Sequence, residues 1–322
     1  TNVLTSPSGY ITGTGGYILE SGNATSGGSV TPWAPITPKG RPYRTKDVYF
    51  SDSMNGWVVG QFSRIAKTIT GGTTWSEVEP LPDLQAGELN AITFKPGGAF
   101  GVCVGEIDNA TDMPKILFNS DVLNSQDWTS PDSISGLDTK TPWDLRAVTW
   151  TGAGSTSHFW AVGHPGLLLH STDDCVNWNA FVPPGMTPTQ LSILGFEGVA
   201  FHDPNNGVFV GTKGVGRYAA AYNVTGNNVT WNELNMSAIG PSATFLDVEI
   251  FGATAYIVGE DRSLASPLGY LLTSTLSGTT WSALTVVASG VWKSASKNVQ
   301  SAIARVASST RRNVGTFTGD WL

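Results

Sequence analysis

Three histidines, His158, His164 and His170, fall within one short stretch, a spacing that could serve a transition metal. His170 sits in an apolar, strand-like run and the other two read as loop residues. They are therefore expected to be edge or surface histidines, and no metal is predicted. Asp108-Asn109-Ala110-Thr111-Asp112 supplies oxygen ligands but lacks the glycine and closing glutamate of a calcium loop. Gly211-Thr212-Lys213-Gly214-Val215-Gly216 is glycine-rich, yet no helix follows to hold a phosphate, so it reads as a tight turn. Nucleophile elbows, Walker loops and zincin motifs are missing from the sequence. Glycoside hydrolysis needs two carboxylates facing each other across a cleft, and Glu197 and Asp247 are the pair a test would target.

Cys103 and Cys175 stand far apart and outside any Cys-x-x-Cys context. They form either one disulfide or two buried thiols. Asn23, Asn109, Asn223, Asn228 and Asn235 each begin an Asn-x-Ser/Thr sequon. No cofactor is implied.

These residues must be positioned by something, and composition limits the options. Charged residues are 13% of 322, and Gly numbers 38. So few charges exclude coiled coils and charge-driven disorder, and so much glycine disfavours a helical bundle. The net charge of −7 argues against nucleic acid, which attracts basic surface. No apolar run approaches the roughly 18 residues of a membrane span. The chain opens at Thr1 with neither Met nor an apolar leader, which suggests a processed chain or an excised domain.

A repeat runs through the sequence. Gly56-Trp57-Val58-Val59-Gly60 returns as Gly101-Val102-Cys103-Val104-Gly105 and as Phe159-Trp160-Ala161-Val162-Gly163. It returns again as Gly207-Val208-Phe209-Val210-Gly211 and Ala255-Tyr256-Ile257-Val258-Gly259. A short apolar alternation precedes each copy, and a third apolar run follows it. A turn then leads to Trp75, Trp128, Trp178, Trp231 or Trp281, spaced by 50 to 53 residues. Each unit reads as four antiparallel strands, the content of a propeller blade.

Tyr10-Ile11-Thr12-Gly13 begins a sixth, partial copy whose first strand would come from around Ala302-Ile303-Ala304-Arg305-Val306. The prediction is an all-β chain, one six-bladed β-propeller closed by pairing of its N- and C-terminal strands. Seven blades is the alternative, if Val286 to Val299 hides further strands. The expected blades are residues 1–34 with 300–322, then 44–80, 88–132, 142–184, 194–238 and 243–287.

Thr68-Ile69-Thr70-Gly71-Gly72-Thr73-Thr74-Trp75 and Ser171-Thr172-Asp173-Asp174-Cys175-Val176-Asn177-Trp178 resemble degenerate Asp-box (BNR) turns. The whole unit is similar to the repeat of photosystem II stability/assembly factor-like propellers. In this reading only Asp173 keeps the box aspartate. The resemblance implies the fold more strongly than any activity, because this fold hosts sialidases, sorting receptors and assembly factors alike. The sialidase constellation is absent: Arg41-Pro42-Tyr43-Arg44 only faintly matches the arginine signature, and no tyrosine has a partnering glutamate.

Ligands of propellers gather at the channel mouth, where Lys46, Asn90, Arg146 and Glu197 occupy equivalent places with Arg44 close by. Trp33, Trp75, Trp128, Trp178, Trp231 and Trp281 are assigned to the core, and Trp143, Trp292 and Trp321 to exposed contacts. A segment left over at the C-terminus, Asn313 to Gly319, could add to another molecule and build a homo-oligomer or filament. The leading expectation is a non-catalytic, secreted or surface-exposed scaffold binding protein or glycan partners, located outside the cell or on a cell or virion surface. The alternatives are an assembly-factor-like protein-binding propeller and a sialidase-like glycoside hydrolase.

Overall fold

In a computed structural model, the described residues are 9–12, 18–21, 34–35 and 45–291, without 53, 79–86, 109–112, 125–126, 139–140, 154–155 and 265–267. Side chains before residue 45 are not described. The closing strand near Ala302, the segment Asn313 to Gly319, Arg44, Asn23, Asn109, Trp33, Trp292 and Trp321 all lie outside the described set.

The described residues are almost wholly β. Strands β1 (Gly9–Thr12), β2 (Ile18–Ser21) and β3 (Ala34–Pro35) make one small sheet. A meander follows, of β4 (Thr45–Phe50), β5 (Gly56–Gly60), β6 (Ile65–Thr68) and β7 (Ser76–Val78). The next comprises β8 (Leu89–Phe94), β9 (Gly101–Asp108) and β10 (Met113–Asn119), with a single bridge from Phe118 to Thr129. Strand β11 (Ser133–Ser135) crosses to the following unit, β12 (Asp144–Ala153), β13 (Thr156–His164), β14 (Leu167–Ser171) and β15 (Asn177–Ala180), and pairs parallel with β15.

Helix α1 (Pro188–Ser192), capped by Thr187 and Gln190, leads into β16 (Leu194–Asp203), β17 (Asn206–Lys213), β18 (Gly216–Thr225) and β19 (Asn228–Glu233). The last sheet holds β20 (Thr244–Phe251), β21 (Thr254–Asp261), β22 (Leu268–Ser277), β23 (Thr280–Trp281) and β24 (Thr285–Val291). Both β23 and β24 pair with β22, so they divide the outer-strand position between them. The stretch from Val286 that could have opened a seventh blade is, as far as Val291, an outer strand of this same sheet.

Packing explains why the units need one another. Side chains alternate across each strand, so a sheet between two described neighbours buries one face against the unit before it and the other against the unit after. Cys103 joins Trp57, Val59 and Ile65, whereas its neighbours Val102 and Val104 join Phe159, Ala161 and Trp178. Trp160 and Val162 pack with Phe196, Phe209 and Tyr218, and Val208 and Val210 with Phe245, Ile257 and Trp281.

Trp128, Trp178 and Trp281 are buried, while Trp75 and Trp231 are half-buried. Trp143 differs from expectation: it is half-buried against the core, and its indole donates to the Asp138 carbonyl at 2.8 Å. Cys103 and Cys175 are free thiols in two different clusters, so the disulfide alternative fails.

The box turns are held as the resemblance implies. The Cys175 amide donates to Ser171 Oγ at 3.1 Å and the Asn177 amide to Asp173 Oδ1 at 3.0 Å. Where Thr70 replaces aspartate, its hydroxyl takes the same load, accepting from the Thr74 amide at 2.9 Å. A third turn was missed in sequence. Asn119 ends its strand as Ser171 does, Asp121 follows two residues later, and the Asp121 amide donates to Asn119 Oδ1 at 2.8 Å. The longer path from Asp121 to Trp128 hides it from a fixed-spacing pattern.

Candidate functional site

The inner strands β4, β8, β12, β16 and β20 share an irregularity. Pairing with the second strand of each unit skips one residue, between Thr45 and Asp47, Leu89 and Ala91, Leu145 and Ala147, Phe196 and Gly198, and Phe245 and Asp247. The skipped residues are Lys46, Asn90, Arg146, Glu197 and Leu246. A bulge releases its residue from the ladder and re-aims the side chain. The four mouth candidates within the described residues are thus bulge residues, and Leu246, a buried apolar side chain, holds the fifth position.

Their side chains join neighbouring units. Lys46 pairs with Glu88 at the start of the next inner strand. Asn90 Nδ2 donates to Asp144 Oδ1 at 3.0 Å and to the Leu145 carbonyl at 2.8 Å, and Asp144 pairs with Arg146. His164 Nε2 lies 2.9 Å from Glu197 Oε1. Glu106 stands opposite Asp144 in the single bridge between β9 and β12. Burial, then the Asp144 and Glu88 carboxylates, raise its acid above the usual carboxylate range despite Lys46 and Arg146 nearby.

Glu88, Glu106 and Asp144 carry no sequence-based expectation, and His164 carries one only as an edge or surface histidine. A signal for two of them was present: Glu88 and Asp144 each precede a bulge residue by two, the position Arg44 holds before Lys46.

The other candidates are placed elsewhere. Asp247 is buried and accepts from the Val248 amide at 2.9 Å, while its equivalent Asp47 also accepts from the Ile92 amide of the next inner strand at 2.9 Å. Neither Asp247 nor Glu197, which is held by His164, is presented as a glycosidase carboxylate. His158 lies in β13 rather than a loop, as does His164. His158 Nδ1 sits 2.9 Å from His170 Nε2, and His170 stacks on Trp160 with ring centroids 4.1 Å apart. Among the described residues, no three His, Cys, Asp or Glu side chains converge as a metal site would need. Asn223 is buried in β18 and donates to Asn206 Oδ1 at 2.9 Å, which removes it from the sequon candidates; Asn228 and Asn235 are exposed.

A curated relative, the photosystem II assembly lipoprotein Ycf48 of Synechococcus sp. strain CC9902, is 26% identical over 195 residues, 60% of this chain and 50% of that protein. A solved structure of Ycf48 from Cyanidioschyzon merolae superposes with a TM-score of 0.56 at 18% identity, covering 85% of this chain and 80% of that one. The chain is a β-propeller similar to Ycf48. A Ycf48 structure bound to D1 peptide gives a TM-score of 0.45 at 17% identity, covering 76% of this chain and 84% of that one. The chain spans about half the length of the curated Ycf48 it matches. No protein-family model matches it. Similarity to a cyanobacterial photosystem II assembly lipoprotein overturns the extracellular or cell- or virion-surface location expected from composition. Among the described residues no helix is long and apolar enough to cross a membrane.

Proposed function

We propose that this chain is a non-catalytic, protein-binding propeller that serves assembly of a photosynthetic complex, as the name of its Ycf48 relative describes for that protein. The observation that carries the reading is the row of bulges. Five equivalent positions free one side chain each at the start of an inner strand, and four of them are polar or charged. Their partners Glu88, Asp144 and His164 hold them in fixed directions, so the mouth is a preorganised polar surface. Glu88, Asp144 and Glu197 are engaged by lysine, arginine, asparagine and histidine, an arrangement suited to recognition.

The test is titration of a D1 peptide into the purified chain by calorimetry, with a Lys46→Ala/Arg146→Ala variant alongside. Saturable binding that weakens at least tenfold in the variant supports the reading, because each lost charge-assisted hydrogen bond is worth roughly 1.5–3 kcal/mol. Equal binding by both proteins, or none by the parent, removes the mouth from consideration.

A further inference from the structure

The outer edges of two neighbouring sheets are closely equivalent, and only one is covered among the described residues. The Phe181 amide donates to the Leu168 carbonyl and the Leu234 amide to the Ala219 carbonyl, which puts β15 and β19 in the same register on their sheets. Three residues earlier stand Trp178 and Trp231. Backbone groups alternate in direction along a strand, so those of Trp178 and of Val229, Trp231 and Glu233 face away from their own sheets.

On β15 that outward row is in use. Strand β11 lies parallel to it, with Ser133, Ile134 and Ser135 beside Asn177, Trp178 and Asn179. The Asp132 amide donates to the Val176 carbonyl at 2.8 Å. Ser133 Oγ donates to Asn177 Oδ1 and Ser135 Oγ to Asn179 Oδ1, both at 2.7 Å. The chain thus carries a worked example of strand addition, with serine hydroxyls at alternate positions reading asparagine carbonyls.

On β19 the same row has no strand beside it, since β19 pairs with β18 alone among the described residues. Folded proteins blunt open edges with proline, lysine, bulges or a covering segment. Asn228-Val229-Thr230-Trp231-Asn232-Glu233 has neither proline nor lysine, its pairing with β18 is without a bulge, and its one charge, Glu233, is drawn to Lys213 at 3.2 Å. Asn232, in the place of Asn179, is exposed.

We propose that the edge of β19 is a docking strand for an extended segment of a protein partner, laid parallel to it with serines at alternate positions. Main-chain hydrogen bonds to Val229, Trp231 and Glu233 supply affinity, and Asn232 selects a hydroxyl on the incoming strand. This surface is separate from the bulge row.

The test is an amide-resolved NMR titration of the full chain with a heptapeptide of the sequence Pro131 to Leu137, the segment that the fold itself lays on β15. Saturable shifts confined to Val229–Glu233 are expected. Glu233→Pro removes one outward amide from an exposed edge position, where proline is tolerated, and should abolish them. Asn232→Ala, which spares the backbone, should weaken binding roughly fivefold, the value of one hydrogen bond. The Lys46→Ala/Arg146→Ala variant should bind the peptide as the parent does, so failure here and failure of the mouth reading are separable. Shifts at Asn177–Ala180 would mean that the peptide merely displaces β11, and would overturn the proposal. So would no shifts at millimolar peptide, or shifts at Val229–Glu233 that grow with protein concentration alone, which would mark a contact between copies.

Discussion

A Cβ added to Gly105 would lie 1.9 Å from the carbonyl oxygen of Glu88, and one added to Gly163 would lie 1.9 Å from that of Asp144. Gly211 stands in the same relation to Gly195, again at 1.9 Å. In these three units the bulge of the inner strand thrusts a carbonyl onto the second strand, and only a residue without a side chain fits beneath it. The glycine closing the Val-Gly pair in these copies, Gly105, Gly163 or Gly211, is therefore the counterpart of the bulge that frees Asn90, Arg146 or Glu197.

Gly105→Ala must push two strands apart in a packed sheet. A loss of about 3 kcal/mol in urea unfolding is expected, at the upper end of what overpacking costs. Val215→Ala, at a fully exposed turn tip, should leave the midpoint unchanged. Equal stability of parent and Gly105→Ala would show that the bulge can relax.

The box turns give a graded series. Thr70→Ala removes the acceptor of the Thr74 amide and should cost about 1 kcal/mol, whereas Thr70→Asp should retain most of the stability. At the exposed Asp173, slight desolvation opposes ionisation, but hydrogen bonds from Asn177 and Ser171 win and hold the carboxyl below its usual range. Thermal unfolding of Thr70→Ala, Thr70→Asp and Asp173→Ala orders the contributions of these two turns.

Stability should fall as the solution is acidified, with His170 as one cause. Burial, and then the adjacent His158 imidazole, bring its pKa down to about 4. The unfolded chain takes up this proton near the ordinary value of about 6.5, before the folded chain does. The contribution is therefore complete above about pH 6.5 and is lost between there and about pH 4. It amounts to about 2 kcal/mol by pH 5. Urea unfolding of the parent at pH 7.5 and pH 5, compared with His170→Gln, isolates it: the variant should show a shallower fall.

Both thiols should be inert in the folded protein. Burial, and secondarily Asp47, pushes the Cys103 thiol well up, and burial followed by Asp174 does the same for Cys175. A thiol reagent should find neither cysteine in native buffer and both in denaturant without reductant. Two unreactive sulfurs under both conditions would mean a disulfide.

What the sequence determined by itself was the repeat and hence the fold class. Strand alternation, turn glycines and the recurring tryptophan are local signals, and a repeated unit prints them several times over. It also placed Lys46, Asn90, Arg146 and Glu197 at one equivalent position, although not the reason, which is a bulge. The five Asn-x-Ser/Thr sequons look alike in sequence. Only the paired strands showed that Asn223 is turned inward to Asn206 while Asn228 is exposed.

Partnerships across units were decided by the tertiary structure alone. Lys46 with Glu88, Asn90 with Asp144, and His164 with Glu197 join residues 33 to 54 positions apart. The sequence carries each residue's type but not the sheet-to-sheet packing that brings them within hydrogen-bonding range. The covering of β15 by β11, and the open edge of β19, likewise depend on where a connecting segment lies, because nothing in a strand's own residues records what pairs with its outer side.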